Sequence, residues 1–197
     1  RGPIQYGQFV TTGVRSGWRL DQSGDDKLSK NLGATQEFED PLPDRMREAL
    51  GGFATGVAVV TCGAVGENAC AVTVNSFSSV SLDPPLILFS LDRSAFHLNR
   101  FLVAKSFAVN ILSADQMALS NRFAQEVMDG LEGLETGSIV TGCPVFPDAL
   151  AALDCQRERV IEAGDHHILI GRVIAIRPPV ATDPLLFFRG RYAELRR

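Results

Sequence analysis

The sequence predicts a mainly β domain with accessory helices, arranged as a closed or partly closed antiparallel barrel, on three observations. Strand-like runs outnumber helical ones, and no regular βαβ alternation is present. At 197 residues and 45% hydrophobic content, the chain suffices for one domain with a real core and falls short of two ordinary ones.

The elements follow in order. Residues Arg1 to Gln36 are polar and glycine-rich, with no sustained period of 2 or 3.6 residues, so residues 1–37 read as an extension outside the domain. Disorder, a pro-region, an expression remnant and a dimer-wrapping arm all fit; Trp18 and Phe9 point to some docking. The domain proper, residues 38–197, opens at Phe38. There Met46, Ala49, Leu50 and Phe53 form a helical stripe stopped by Gly51-Gly52. Strand-like runs then occupy Val57–Thr61, Ala69–Asn75, Leu86–Leu91, Phe107–Leu112, Ala149–Ile161, His167–Ile176 and Leu185–Leu195. Helices are expected over Ala95–Val103 and Asp115–Ala124, capped by Ser94 and Ser113.

Composition excludes several function classes. A formal net charge of −4 provides no basic field for nucleic acid. Cys62, Cys70, Cys143 and Cys155 lie far apart with no Cys-x-x-Cys pair, so neither a zinc knuckle nor a disulfide framework is suggested; they read as buried thiols of a reducing cytosol. Apolar runs such as Pro84–Leu91 are far too short to span a membrane, and the expected location is cytoplasmic.

One segment carries a chemical signal. From Asn68 to Leu82 only neutral residues occur, yet Thr73, Asn75, Ser76, Ser78, Ser79 and Ser81 crowd hydrogen-bonding side chains together. Val72, Val74, Phe77 and Val80 make the stretch apolar enough to be half-buried, so its polar groups need partners, and a neutral polar ligand is one way to supply them. An isoalloxazine ring, with a uracil-like edge of alternating donors and acceptors, suits a strand backbone plus the Asn75 amide. The bland reading is a serine-rich strand facing solvent or forming turns.

The run from Ala71 to Ser94, Ala-Val-Thr-Val-Asn-Ser-Phe-Ser-Ser-Val-Ser-Leu-Asp-Pro-Pro followed by Leu-Ile-Leu-Phe-Ser-Leu-Asp-Arg-Ser, resembles the flavin-site signature of the short-chain flavin reductases. These are the reductase components of two-component flavin-dependent monooxygenases, with an FMN-binding split β-barrel of antiparallel Greek-key type. The leader from Met46 to Val57 and the later Phe107-Ala108-Val109-Asn110-Ile111-Leu112 resemble the same family in order and spacing. The resemblance implies flavin contacts from Thr73, Val74, Asn75 and Ser76, then Ser79 and Ser90. It implies Arg93 and Ser94 near the phosphate or adenosine half, and Phe123-Ala124 closing over the ring.

Gly164-Asp165-His166, followed by Gly171-Arg172-Val173, resembles the stretch that this family uses for NADH or NADPH. Physically, Gly164-Asp165 reads as a turn feeding a strand, which brings His166 to the strand start, where it can donate to a carboxamide or diphosphate. His166 and His167 face opposite sides of a strand, so at most one lines a pocket, and a metal site is not expected. No Gly-x-Gly-x-x-Gly opens a helix after a strand, so the nicotinamide must bind on the barrel surface. Its C4 then needs to approach flavin N5 within about 3 to 3.5 Å. His166 is the side chain expected to matter for catalysis, through position. Tyr192, in Phe187-Phe188-Arg189-Gly190-Arg191-Tyr192, resembles the family's last-strand aromatic, reaching the pocket from a partner chain, and a homodimer is expected.

The function implied is an NAD(P)H:flavin oxidoreductase that reduces FMN or FAD and passes it to a separate monooxygenase component. Two other readings stay open: a reductase of a corrin or ferric complex, and a non-catalytic protein that binds flavin or haem.

Overall fold

A computed structural model describes residues 42–125 and 130–195. The extension over residues 1–37 and the boundary at Phe38 lie outside the described residues. Helix α1 (Leu42–Gly51) carries Asp44 in its first turn, paired with Arg47 at 2.6 Å. A two-residue strand β1 (Thr55–Gly56) leads into β2 (Ala58–Ala64) and β3 (Glu67–Val74). Then come β4 (Ser78–Leu82), β5 (Pro85–Asp92), α2 (Leu98–Val103) and β6 (Ser106–Ile111). A 3₁₀ turn (Ala114–Gln116) runs into α3 (Met117–Phe123). The long hairpin of β7 (Ala151–Ala163) and β8 (His166–Arg177) and the short strands β9 (Leu186–Phe188) and β10 (Arg191–Ala193) complete the order.

The protein is mainly β and its strands pair antiparallel throughout the described ladders. Seven strands form one sheet in the order β3-β2-β6-β7-β8-β5-β4, and β1-β9-β10 form a second. The larger sheet curls. Phe89 on β5 and Phe107 on β6 are separated in the ladder by β7 and β8, yet their rings meet edge to face with centroids 5.0 Å apart. Phe101 of α2 packs on Phe89 at 6.0 Å, so this helix plugs the curl. Gly171 on β8 is what lets β8 approach: a Cβ there would overlap the Phe107 ring and sit 3.1 Å from Cys155 Cβ.

β2 is buried on both faces, which explains its continuous apolar run. Val60 faces the aromatic core, while Val59 joins Val57, Leu112, Phe123, Phe146 and Leu185 beneath α3. Two buried polar side chains fasten the loop after α3. Asn110 donates to Val59 O at 3.2 Å and accepts from Phe146 N–H at 2.9 Å. Asp154 accepts from the N–H groups of Val140 and Thr141 at 2.7 and 2.8 Å.

Four expectations change. β4 is an extra strand at the end of the sheet, with Ser78, Ser79 and Leu82 exposed and Val80 48% exposed, so beyond Phe77 the serine-rich stretch is mostly exposed, with Ser81 alone half-buried. The helix expected from Ala95 begins at Leu98, because Asp92 Oδ1 captures both the N–H and the hydroxyl of Ser94 at 2.7 Å and makes a turn of it. The run Leu185–Leu195 is two strands, split by a tight turn in which Arg189 and Gly190 both take positive φ, +48° and +75°. The helix expected over Asp115–Ala124 opens with a 3₁₀ turn, anchored where Ser113 N–H donates to Gln116 Oε1 at 3.1 Å. Among the described residues no helix is long and apolar enough to cross a membrane.

Candidate active site

The end of β3 and the loop after it form the floor of an open cleft of about 1060 Å³, at the upper end of the usual range for ligand sites. β3 delivers Thr73 and Val74, and the chain then leaves the strand at Asn75. Thr73 Oγ1 donates to Ser120 O on α3 at 2.7 Å, so its hydroxyl is left as an acceptor. Ser76 clips the loop to β5, donating to Ser90 O and accepting from Ser90 N–H, both at 3.0 Å. The exposed Asn75 amide makes no hydrogen bond among the described residues, which leaves its donor and acceptor to a ligand.

The opposite end is charged. The β7–β8 hairpin turns at Gly164-Asp165 and presents His166, whose Nδ1 bonds Asp165 Oδ1 at 2.7 Å. That bond holds the Asp165 carboxyl below its ordinary range. With Nδ1–H donating to the carboxylate, Nε2 accepts in the neutral ring and donates in the charged one. Arg93 buttresses the corner from outside: its N–H donates to Asp165 O at 2.8 Å and its guanidinium pairs with Glu162 at 3.2 Å. Asp92, Asp165 and His166 bring ligand atoms within 4.8 Å of one another, a neighbourhood that no spacing in the sequence displays.

Tyr192 on β10 forms a third wall. Its hydroxyl donates to Asn121 Oδ1 at 3.0 Å and meets Ser120 Oγ at 2.8 Å, so α3 is tied at once to β10 and, through Thr73, to β3. Phe123 and Ala124 end α3 at the cleft's edge.

Of the residues singled out in the sequence, Thr73, Val74, Asn75, Ser76, Ser90, Ser94, Phe123, Ala124, Asp165, His166 and Tyr192 line this one cleft. Ser79 lies on exposed β4, Gly164 in the turn and Arg93 behind the corner, all three outside the lining. His167 points away from it, as the strand alternation requires. Arg172 is also elsewhere, paired with Glu158 at 3.1 Å. Sequence reasoning missed Thr55, whose Oγ1 is buried in the cleft wall without a partner among the described residues, as well as Asp92, Ser120 and the buried His97. The phase of β1 and the pairing of Asp92 with His166 across β5 and β8 are tertiary facts with no local signature.

The wall fits a flavin. A neutral floor with one unbonded amide and one orphaned buried hydroxyl matches a ring edge of alternating donors and acceptors. A second hollow, about 400 Å³ beside Ile139, Ile176 and Pro178, offers no such set; its Arg177 donates to Ala149 O at 3.1 Å.

Comparison with known proteins agrees. The family model described as "Flavin reductase like domain" matches residues 50–196. A probable flavin reductase of Rhizobium meliloti is 44% identical over 150 residues, covering 76% of this chain and 48% of that protein. The reductase subunit of a stachydrine N-demethylase from the same organism is 38% identical, covering 76% and 65%. The chain thus spans about half to two thirds of the length of these relatives. An NADH-dependent FMN reductase of Agrobacterium fabrum is 42% identical over 151 residues, covering 77% of this chain and 85% of that one. Among solved structures, the Streptomyces globisporus NADH:FAD oxidoreductase in complex with NAD and FAD fragments superposes with a TM-score of 0.75 at 35% identity, covering 82% and 98%. With three quarters of its length matched by the family model and by relatives above 30% identity, the chain belongs to the flavin reductase like domain family.

Proposed function

We propose that this chain is an NAD(P)H:flavin oxidoreductase that reduces FMN or FAD and supplies the reduced flavin to a separate monooxygenase component. The observation that carries this reading is the cleft itself, with a neutral hydrogen-bonding floor at one end and the Asp165–His166 pair at the other. Relatives named as reductases of FMN and of FAD support both flavins as substrates, and those named NADH-dependent favour NADH over NADPH. A relative named as the reductase subunit of a flavin-dependent monooxygenase supports the partner.

A bound flavin would supply the hydride acceptor and a nicotinamide nucleotide the hydride, so the protein's task is position and exclusion of water. Asn75, Thr73 and the backbone at Val74 hold the ring edge. Ser76 and Ser90 keep that loop fixed on β5. His166, oriented by Asp165, holds the nicotinamide nucleotide by a hydrogen bond at its ring Nε2. Phe123 and Ala124, carried on the α3 that Tyr192 anchors, cover the ring. Ser79, Arg93 and Gly164 contribute from outside the cleft, through the β4 edge and the hairpin corner. We further read the curled sheet as the split-barrel, Greek-key form of this family, working as a cytoplasmic homodimer.

The test is NADH oxidation followed at fixed protein with and without added FMN or FAD. Turnover that rises with free flavin is the expected result; equal rates in its presence and absence would end the released-flavin reading.

A further inference from the structure

We propose that Cys62 and Cys70 form an oxidisable dithiol, a modification site at which a small peroxide converts the pair into an intramolecular disulfide. The two residues are direct partners across β2 and β3, and their sulfurs stand 3.1 Å apart. A disulfide bond is about 2.05 Å, so closing it asks for a movement of roughly 1 Å, which two directly opposed side chains can make by small χ changes. The remaining thiols are differently placed: Cys143 bonds Ser106 Oγ at 3.5 Å and Cys155 bonds Leu153 O at 3.8 Å.

The pair is asymmetric in the way such chemistry needs. The hydrogen bond between the two sulfurs holds Cys70 low with help from the nearby Arg100, while that same bond and burial push Cys62 up. Burial, together with the neighbouring Asp154 and Cys143, by contrast pushes Cys155 up to about 12. Cys70, on the end strand β3 and beside Arg100, serves as the attacking sulfur and Cys62, on the inner strand β2, as the resolving one. The Cys70 thiolate attacks one peroxide oxygen, the O–O bond breaks, and with one proton the products are a sulfenic acid and water. The Cys62 sulfur then attacks that sulfenic sulfur, the S–O bond breaks, and the thiol proton leaves with the hydroxyl as a second water. Both thiols are oxidised and one peroxide is reduced.

Both sulfurs are buried, so the oxidant must be small and the sheet must open locally. β3 is an end strand of the larger sheet, and the β2–β3 register slips between Cys62 and Ala64, next to the pair. An edge strand beside a bulge is where a ladder opens most easily.

The experiment treats the fully reduced chain with a small excess of hydrogen peroxide, then denatures it, alkylates with iodoacetamide and maps the peptides by mass spectrometry. Cys62 and Cys70 are expected to escape alkylation together, as one linked peptide pair that dithiothreitol releases, with Cys143 and Cys155 still alkylated. Retained alkylation of both, independent sulfinic or sulfonic acids, or links to Cys143 or Cys155 would overturn the proposal. In C62S the linked pair should vanish and Cys70 should be trapped as a sulfenic acid by dimedone. The wild-type map decides the matter if that variant does not fold. No NADH or flavin enters the assay, so its failure is separate from any failure of the reductase reading.

Discussion

Asn75 borders the cleft just beyond the last residue of β3, where a side-chain amide has left the ladder but is still held by the Ser76–Ser90 clip. Replacing it with alanine leaves a ligand's polar edge unpaired at a cost of about 1 to 3 kcal/mol, or roughly 5- to 160-fold in affinity. Flavin fluorescence titration of Asn75→Ala measures this directly, and an unchanged Kd would remove Asn75 from the site. His166 acts on the other ligand: His166→Ala should raise KM for NADH and leave the flavin Kd nearly intact, a split that a general loss of folding does not produce. The Asp165–His166 bond also sets a pH dependence. The folded Asp165 carboxyl sits below its unfolded range, so the bond is present above that range and is lost as pH falls through the folded value. Asp165 is largely exposed, so solvent screens its effect on stability, and the consequence belongs in KM. KM for NADH is expected to rise on the acid side below the ordinary carboxylate range, and Asp165→Asn, with no carboxylate to titrate, should flatten that limb.

Elements bring these residues together, and the tightest approach among them is β8 against β6 at Gly171. A methyl group there meets the Phe107 ring and Cys155 at once, and neither can retreat because both are buried in the aromatic core. Gly171→Ala should therefore destabilise the fold by about 1 to 3 kcal/mol, read as a lower urea midpoint at unchanged m-value. The strands that enclose this core were legible in sequence, because β2, β5, β6, β7 and β8 carry long apolar or alternating runs whose period survives any tertiary context. β4 was not, since serines at a sheet edge look the same as serines in a loop. Thr73, Asn75 and the Asp165–His166 corner could be singled out from a charge-free segment, a turn and a family resemblance. Thr55, Asp92 and Ser120 could not: each reaches the cleft by a long-range contact, such as the Tyr192 hydroxyl seeking Ser120, that leaves no trace in local spacing. Cys62 and Cys70 show the same limit, as only the hairpin register converts two distant thiols into neighbours.

For the molecule as a whole, α1 poses the energetic question. None of its residues is buried, and Leu42, Met46, Leu50 and the following Phe53 are 73%, 58%, 59% and 75% exposed along one side. A ten-residue helix is marginal alone in water, so an amphipathic one depends on what covers its apolar stripe. The same stripe borders the cleft, which would leave one wall of a flavin site open to solvent in a single chain. A second copy laid over α1 answers both deficits, covering the stripe and completing the wall, and this is the physical case for the proposed homodimer. Light scattering of the full chain at micromolar concentration should then give twice the chain mass. Charge placed in the stripe, as in Met46→Asp with Leu50→Lys, should give the single-chain mass together with weaker flavin binding, because interface and wall are one surface. A wild-type chain that runs as a monomer while still binding flavin would separate the two, leaving α1 to be held by the ligand and its own chain alone.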